Sequence, residues 1–122
     1  MSHAVTGHVQ SAVAVERSLG TLRAAGLVRL DDAEALAVAA AVDGIVADSV
    51  ELFGSRTDPT GRGGDIDLLI VTSATRFETA RRVSSRFFMR CEERIDVVVL
   101  DPERLGPAEE AFLQSLRRVR IT

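Results

Sequence analysis

Three aspartates stand in stretches that otherwise predict buried β-strands. Asp65 and Asp67 open an apolar run that continues to Val71, and Asp96 interrupts the β-branched run Ile95–Leu100. Residues two apart in a strand point to the same face, so Asp65 and Asp67 lie side by side with Cα atoms about 6 to 7 Å apart. Ionised carboxylates in such strands are costly unless something compensates their charge.

A bound divalent cation is the obvious compensation for these acids. Carboxylate oxygens are hard ligands that suit Mg²⁺, which commonly takes one or two carboxylates together with substrate phosphates. Three carboxylates around two such ions form the arrangement for in-line phosphoryl transfer. One ion polarises the attacking hydroxyl, and the other holds the triphosphate and the leaving pyrophosphate. We therefore expect Asp65, Asp67 and Asp96 to hold two magnesium ions.

Residues suited to phosphate binding precede the first two acids. Gly54 follows a predicted strand, where a glycine lets the backbone approach an anion closely and the next N–H groups can point at phosphate oxygens. Ser55 can donate its hydroxyl to a phosphate, and Arg56 can supply charge. The glycines of the loop up to Gly64 would let both strands face one pocket.

Each of these features also has a plainer interpretation. A Gly-Ser pair alone is most often a turn. The Asp65-Ile66-Asp67 triplet alone could form the exposed face of an edge strand, and Asp96 could end a strand in solvent. The features occur together, in order and at this spacing, and that combination favours the site.

The composition limits the class of protein. The 122 residues are 46% hydrophobic, carry a net charge of −3 and include a single cysteine, Cys91, so no intramolecular disulfide is possible. The acidic balance argues against broad nucleic-acid binding, which needs many phosphates to be neutralised. No apolar run reaches the roughly 18 residues of a membrane span, and no secretion signal is visible, so we expect a cytoplasmic protein. His3 and His8 are interpreted as loose terminal residues, and Cys91 as a small core residue.

The apolar pattern predicts the elements that must position the site. Helices are predicted over 9–25, from the capping box of Asp31 and Glu34 through Val46, over 75–91 and from Pro107 onwards. Strands are predicted at 49–53, 65–71 and 94–100. The expected fold is α/β (α+β), with a small mixed sheet of three or four strands packed with about four helices. It forms one domain over 1–122, with a catalytic core at about 48–101.

Phe53-Gly54-Ser55, followed after nine residues by Asp65-Ile66-Asp67-Leu68 and later by Asp96, resembles the signature of the DNA polymerase beta-like nucleotidyltransferase superfamily. The resemblance covers about Val50 to Leu100. Within the superfamily the chain is similar to the minimal nucleotidyltransferases, which consist of the catalytic palm and little else. It departs from the common pattern at Gly64, where serine is frequent, and this predicts a more mobile loop.

The resemblance implies roles for the residues and a partner. Gly54 and Ser55 would bind the triphosphate of ATP or another nucleoside triphosphate, with Arg56 in support. Asp65 and Asp67 would hold both magnesium ions. Asp96 would hold the acceptor-side ion and help to deprotonate the attacking hydroxyl. Many minimal members are antitoxins that transfer AMP to a tyrosine of a helical HEPN ribonuclease toxin, so the expected acceptor is such a protein.

Two other functions remain open at this point. The same chemistry could modify a small molecule such as an antibiotic, which would need a second subunit to close a pocket, as in a homo-oligomer. The chain could instead be an idle binding module that neutralises a partner by contact alone. The presence of all three acids speaks against a decayed site.

Overall fold

The computed structural model describes residues 7–122, so the expectation of a loose His3 lies outside the described residues. The elements, in chain order, are β1 (His8–Val9), α1 (Ala12–Ala24), α2 (Asp32–Val42), β2 (Val46–Ala47), β3 (Ser49–Phe53), a 3₁₀ turn (Gly54–Thr57), β4 (Ile66–Val71), α3 (Arg76–Phe88), β5 (Ile95–Leu100), α4 (Pro107–Ser115) and β6 (Arg118–Arg120).

The main sheet has four strands in the order β5-β4-β3-β6. β4 and β5 are parallel, whereas β3 is antiparallel to both of its neighbours. Parallel strands need a long crossover, which α3 supplies between β4 and β5. β1 and β2 form a separate antiparallel ladder, in which His8 lies opposite Ala47.

The main core lies between one face of this sheet and the helices α1, α2 and α3. Alternate strand residues such as Leu52, Leu68 and Ile70 point into it and are fully buried. α2 lies between its two neighbours and begins at the predicted capping box, in which Glu34 N–H donates to Asp31 and Asp31 N–H donates to Glu34. This box fixes the start of α2, and with it the position of the Glu34 carboxylate.

The opposite face of the sheet is only partly covered. Phe53, Leu69 and Leu100 form a small buried cluster there, supported by side chains that include Leu113 of α4. Phe112 of α4 meets Phe53 edge to face, with ring centroids 6.1 Å apart. The part of this face nearest the start of β4 carries the aspartates instead of apolar side chains.

The predicted fold class is confirmed: the structure is a mixed α and β arrangement with four helices and a four-stranded mixed sheet over residues 7–122. The prediction that His8 is loose is wrong, because it takes part in β1. The predicted extension of the second helix through Val46 is wrong, because α2 ends at Val42 and Val46 begins β2. The sequence pattern predicts no strand at 118–120, where the structure has β6.

None of the helices within residues 7–122 combines the length and the apolar character that crossing a membrane requires.

Candidate functional site

Asp67 and Asp96 lie directly opposite each other on the parallel strands β4 and β5. The next residues, Leu68 and Val97, belong to the helix-side core, so the two aspartates point to the other face of the sheet. Neighbouring strands are about 4.8 Å apart, which brings both side chains into one patch. Asp65 immediately precedes β4 and completes the set, which we call the acid cluster.

The acid cluster perturbs the pKa of one of its members, Asp67. Partial burial raises the pKa of Asp67, and the charges of Asp96 and Asp65 raise it further. Within residues 7–122, no ion pair or hydrogen bond involves the carboxylate of Asp65, Asp67 or Asp96. The protein therefore holds a concentration of negative charge that its own described residues do not neutralise.

Gly54 is pressed against the acid cluster. Phe53 lies opposite Asp67 in the antiparallel β3–β4 pair, so Gly54 follows at the same end of the sheet. Its φ of 75° is in the left-handed region, and a Cβ at this position would collide with Oδ2 of Asp67. Only glycine combines this backbone conformation with so close an approach to the carboxylate.

The backbone after Gly54 leaves one amide available, that of Ser55. Gly54 N–H donates to Arg117 C=O at 3.3 Å, so this amide is already used. The first i→i+3 bond of a 3₁₀ helix that spans Gly54–Thr57 is donated by Arg56 N–H to C=O of Phe53, the residue before the helix, so only Ser55 N–H has no partner within the turn. The Ser55 amide, rather than that of Gly54 or Arg56, is the donor that could meet a phosphate.

Ser55 and Gly64 are in contact across the loop that joins β3 to β4. The Ser55 hydroxyl is exposed and donates to Asp65 C=O at 3.4 Å, which places it beside the start of β4. Gly64 has a φ of 86°, and a Cβ there would lie 2.5 Å from Oγ of Ser55. A side chain at position 64 would therefore collide with Ser55, which is a steric reason for glycine at this position. This reason adds to the loop mobility that the sequence predicts.

The structure corrects the role expected for Arg56. Its side chain is only 5% exposed, and its guanidinium donates to both carboxylate oxygens of Glu34, at 3.0 and 2.8 Å. Two further bonds go to the carbonyls of Arg29 and Gly64, both at 3.1 Å. The bonds to Glu34 raise the pKa of Arg56, against the effect of burial. A guanidinium committed in this way anchors the loop and does not face a phosphate.

Arg29, between α1 and α2, is a residue that the sequence analysis missed. Its guanidinium donates to the carbonyls of Ser55 and Asp58, each at 3.2 Å, and of Gly63 at 2.9 Å. No motif marks Arg29, because its targets are backbone atoms 26 to 34 residues later in the chain. We call Arg29, Arg56 and Glu34 together the loop clasp.

The acid cluster could bind Mg²⁺ only if other groups supplied part of the coordination. Among residues 7–122, no group of three or more His, Cys, Asp or Glu side chains is arranged so that it could hold a metal ion by itself. Mg²⁺ commonly binds through one or two carboxylates while substrate phosphates and water complete its octahedron. The cluster suits ions that arrive with a triphosphate better than a permanent metal centre.

A cavity of about 360 Å³ lies at the other end of the parallel strands, lined by residues that include Thr72, Arg76 and Arg104. It is separated from the acid cluster by the length of β4. The cluster itself lies on an open face, where Asp96 is exposed and α4 forms one side through Phe112. The candidate site is therefore an open surface of the sheet and not this cavity.

No protein family profile, curated protein or solved structure matches the chain. The family resemblance accordingly depends on the residues themselves: Gly54 and Ser55 at one strand end, and the acids of β4 and β5 beside them.

Proposed function

We propose that this protein is a magnesium-dependent nucleotidyltransferase that transfers AMP from ATP to a hydroxyl group of a partner protein. The observation that carries the proposal is the pairing of Asp67 with Asp96 in register, beside Asp65, with no neutralising partner among the described residues. Like charges gathered on one face are costly, and a ligand that brings cations removes that cost.

The chain's own residues divide the work as follows. The amide and the hydroxyl of Ser55 bind phosphate oxygens of the nucleotide. Asp65 and Asp67 would hold the two magnesium ions, and Asp67 with Asp96 faces the acceptor. Bound magnesium would supply charge neutralisation for the attacking and leaving oxygens.

We assign to Asp96 the transfer of the acceptor's proton. It lies on the edge strand β5 and is exposed, so an incoming hydroxyl can reach it. The hydroxyl oxygen forms a bond to the α-phosphorus, the bond from that phosphorus to the bridging oxygen breaks, and pyrophosphate leaves. The hydroxyl proton passes to the Asp96 carboxylate, which acts as general base.

The open surface around the acid cluster favours a macromolecular acceptor over a small molecule. Small-molecule sites are concave and bury most of their ligand, whereas the acid cluster lies on a partly covered sheet face. We propose that the acceptor is a protein hydroxyl and that the chain acts as the antitoxin of a HEPN-type toxin. A net charge of −3 gives little general attraction for nucleic acid, which agrees with a protein partner.

The test is transfer to the product of the neighbouring reading frame. The two purified proteins are incubated with ATP and Mg²⁺, and the intact mass of the partner is measured. We expect a gain of one or more AMP units with the wild-type protein and none with the Asp65→Asn/Asp67→Asn variant.

Asp101→Asn is the matched control, because Asp101 is a carboxylate at the far end of β5 and should not affect transfer. Complex formation without a mass change would identify a binding module. If the wild-type protein neither binds ATP with Mg²⁺ nor changes the mass of the partner, the proposed function is wrong.

A further inference from the structure

The loop between Ser55 and Asp65 has little structure of its own. After the 3₁₀ turn, residues 58–65 belong to no helix or strand, and Gly63 and Gly64 both have positive φ. Glycine-rich segments lose more conformational entropy than others when they are ordered. The relative placement of Ser55 and Asp65, at the two ends of this loop, therefore depends on side chains from elsewhere.

Arg29 fastens the loop at both ends. One guanidinium bonds the carbonyl of Ser55 at the start, of Asp58 near the first bend and of Gly63 near the end. Arg56 adds the carbonyl of Gly64, the residue before Asp65. Three acceptors on one planar group define the distances between them, which no single hydrogen bond could do.

The position of Arg29 is itself fixed. Its neighbours Val28 and Leu30 are buried in the main core. Its backbone N–H donates to Arg56 C=O at 2.7 Å, and its own C=O accepts from Arg56 Nη1 at 3.1 Å. Arg56 is in turn held by Glu34 at the start of α2. Hydrogen bonds therefore connect Glu34 in the helix layer, through Arg56 and Arg29, to the loop.

We propose that Arg29 is a positioning residue that sets the affinity for the nucleotide by holding the loop in its binding conformation before the nucleotide arrives. The inference rests on the proposed function, because it assigns the loop to triphosphate binding. Preorganisation increases affinity by removing the ordering cost from the binding step. Arg29 does not touch the reacting atoms, so its loss should weaken binding more than it slows transfer by the saturated protein.

The experiment compares Arg29→Ala, Arg29→Lys and the wild-type protein. Arg23→Ala is the matched control, since Arg23 makes a single exposed ion pair with Asp32. Affinity for a non-hydrolysable ATP analogue with Mg²⁺ is measured by calorimetry, and hydrogen exchange of residues 55–65 is measured without nucleotide. Circular dichroism on heating checks that each variant is folded.

We expect Arg29→Ala to weaken binding by about 10-fold or more, equivalent to the loss of about 1.4 kcal/mol, and to accelerate exchange in the loop. The affinity of Arg29→Lys should lie between those of the wild-type protein and Arg29→Ala, because an ammonium lacks the planar fork that spans three carbonyls. In transfer assays KM should rise while kcat changes little. The control Arg23→Ala should match the wild type in every measurement.

The two proposals fail in different ways. Unchanged loop exchange in a folded Arg29→Ala variant would overturn the positioning role, whether or not the protein binds nucleotide. A fall in kcat with unchanged affinity would also overturn it. If the wild-type protein binds no nucleotide, the proposed function is wrong and the assigned effect of Arg29 on affinity falls with it.

Discussion

The acid cluster and the loop clasp are two charged regions beside the loop between β3 and β4. They differ in whether their charges have bonding partners within the protein. In the clasp, the buried Arg56 and Glu34 share two short hydrogen bonds, and further guanidinium bonds go to carbonyls. In the cluster, burial and the charges of Asp96 and Asp65 raise the pKa of Asp67, and the three carboxylates receive no bond from the described residues. A compensated buried charge serves the fold, whereas an uncompensated cluster on a sheet face is suited to a cationic ligand.

The sharpest test of this difference is the removal of single charges from the cluster. Asp67→Asn should abolish both nucleotide binding with Mg²⁺ and transfer, because Asp67 lies between the other two acids. Asp96→Asn should lower transfer by about 10³-fold, within the range for a lost transition-state interaction, while nucleotide binding survives. Calorimetry and intact mass separate the two variants, and equal behaviour of both would contradict the assigned roles.

Breaking the clasp should affect stability first. Glu34→Ala leaves the Arg56 guanidinium buried without its partner, and such losses cost about 3–5 kcal/mol in the free energy of unfolding. Urea unfolding followed by circular dichroism measures this cost. Asp32 lies on α2 like Glu34, and its carboxylate is the exposed partner of Arg23 on α1. Asp32→Ala should therefore lower the free energy of unfolding by at most about 1 kcal/mol. Similar losses in the two variants would mean that Arg56 is not held as described.

Gly54→Ala tests the close contact between the turn after β3 and the acid cluster. The left-handed backbone should cost about 1–2 kcal/mol of stability for an alanine. The added methyl group meets the tip of the Asp67 side chain, which can rotate away. We therefore expect a folded protein with a modestly lower unfolding temperature and a much larger loss of nucleotide binding. Retained binding would show that the close approach of Gly54 to Asp67 has no functional value.

The smallest expected effect concerns pH. The raised pKa of Asp67 means that the folded protein holds this proton more tightly than the unfolded chain, in which the Asp67 carboxyl has its ordinary pKa of 3.8. The contribution of Asp67 to stability is therefore present below pH 3.8 and is lost as pH rises through the folded pKa. Without magnesium, Asp67→Asn should raise the unfolding temperature at pH 7, and this gain should shrink towards pH 4. A destabilised variant at pH 7 would contradict the raised pKa.

Much of this arrangement could be predicted from the sequence. The strands at 49–53, 66–71 and 95–100 are marked by apolar and β-branched residues, and the spacing of Asp65 and Asp67 predicts their common face. The register that sets Asp67 opposite Asp96 was not predictable, because pairing between strands separated by a helix leaves no local pattern.

The two arginines show why the rest of the site escaped the sequence. Arg56 stands beside Ser55, and this proximity in sequence suggested a shared phosphate. A 3₁₀ turn instead directs its side chain towards Glu34 in the helix layer. Arg29 has no charged neighbour that would draw attention to it. Side-chain direction after a turn depends on backbone angles that residue types at this position do not specify.

The central place of β3 has a consequence for folding. β3 pairs on one side with β4 and on the other with β6, whose residues follow their partners in β3 by 65 positions at Phe53 and Arg118 and by 69 positions at Glu51 and Arg120. During synthesis at about 5–20 residues per second, β6 is made several seconds after β3, which ends at Phe53. The bond from Gly54 to Arg117 can form only then. On the ribosome, the turn assigned to phosphate would be completed after most of the helix layer has emerged.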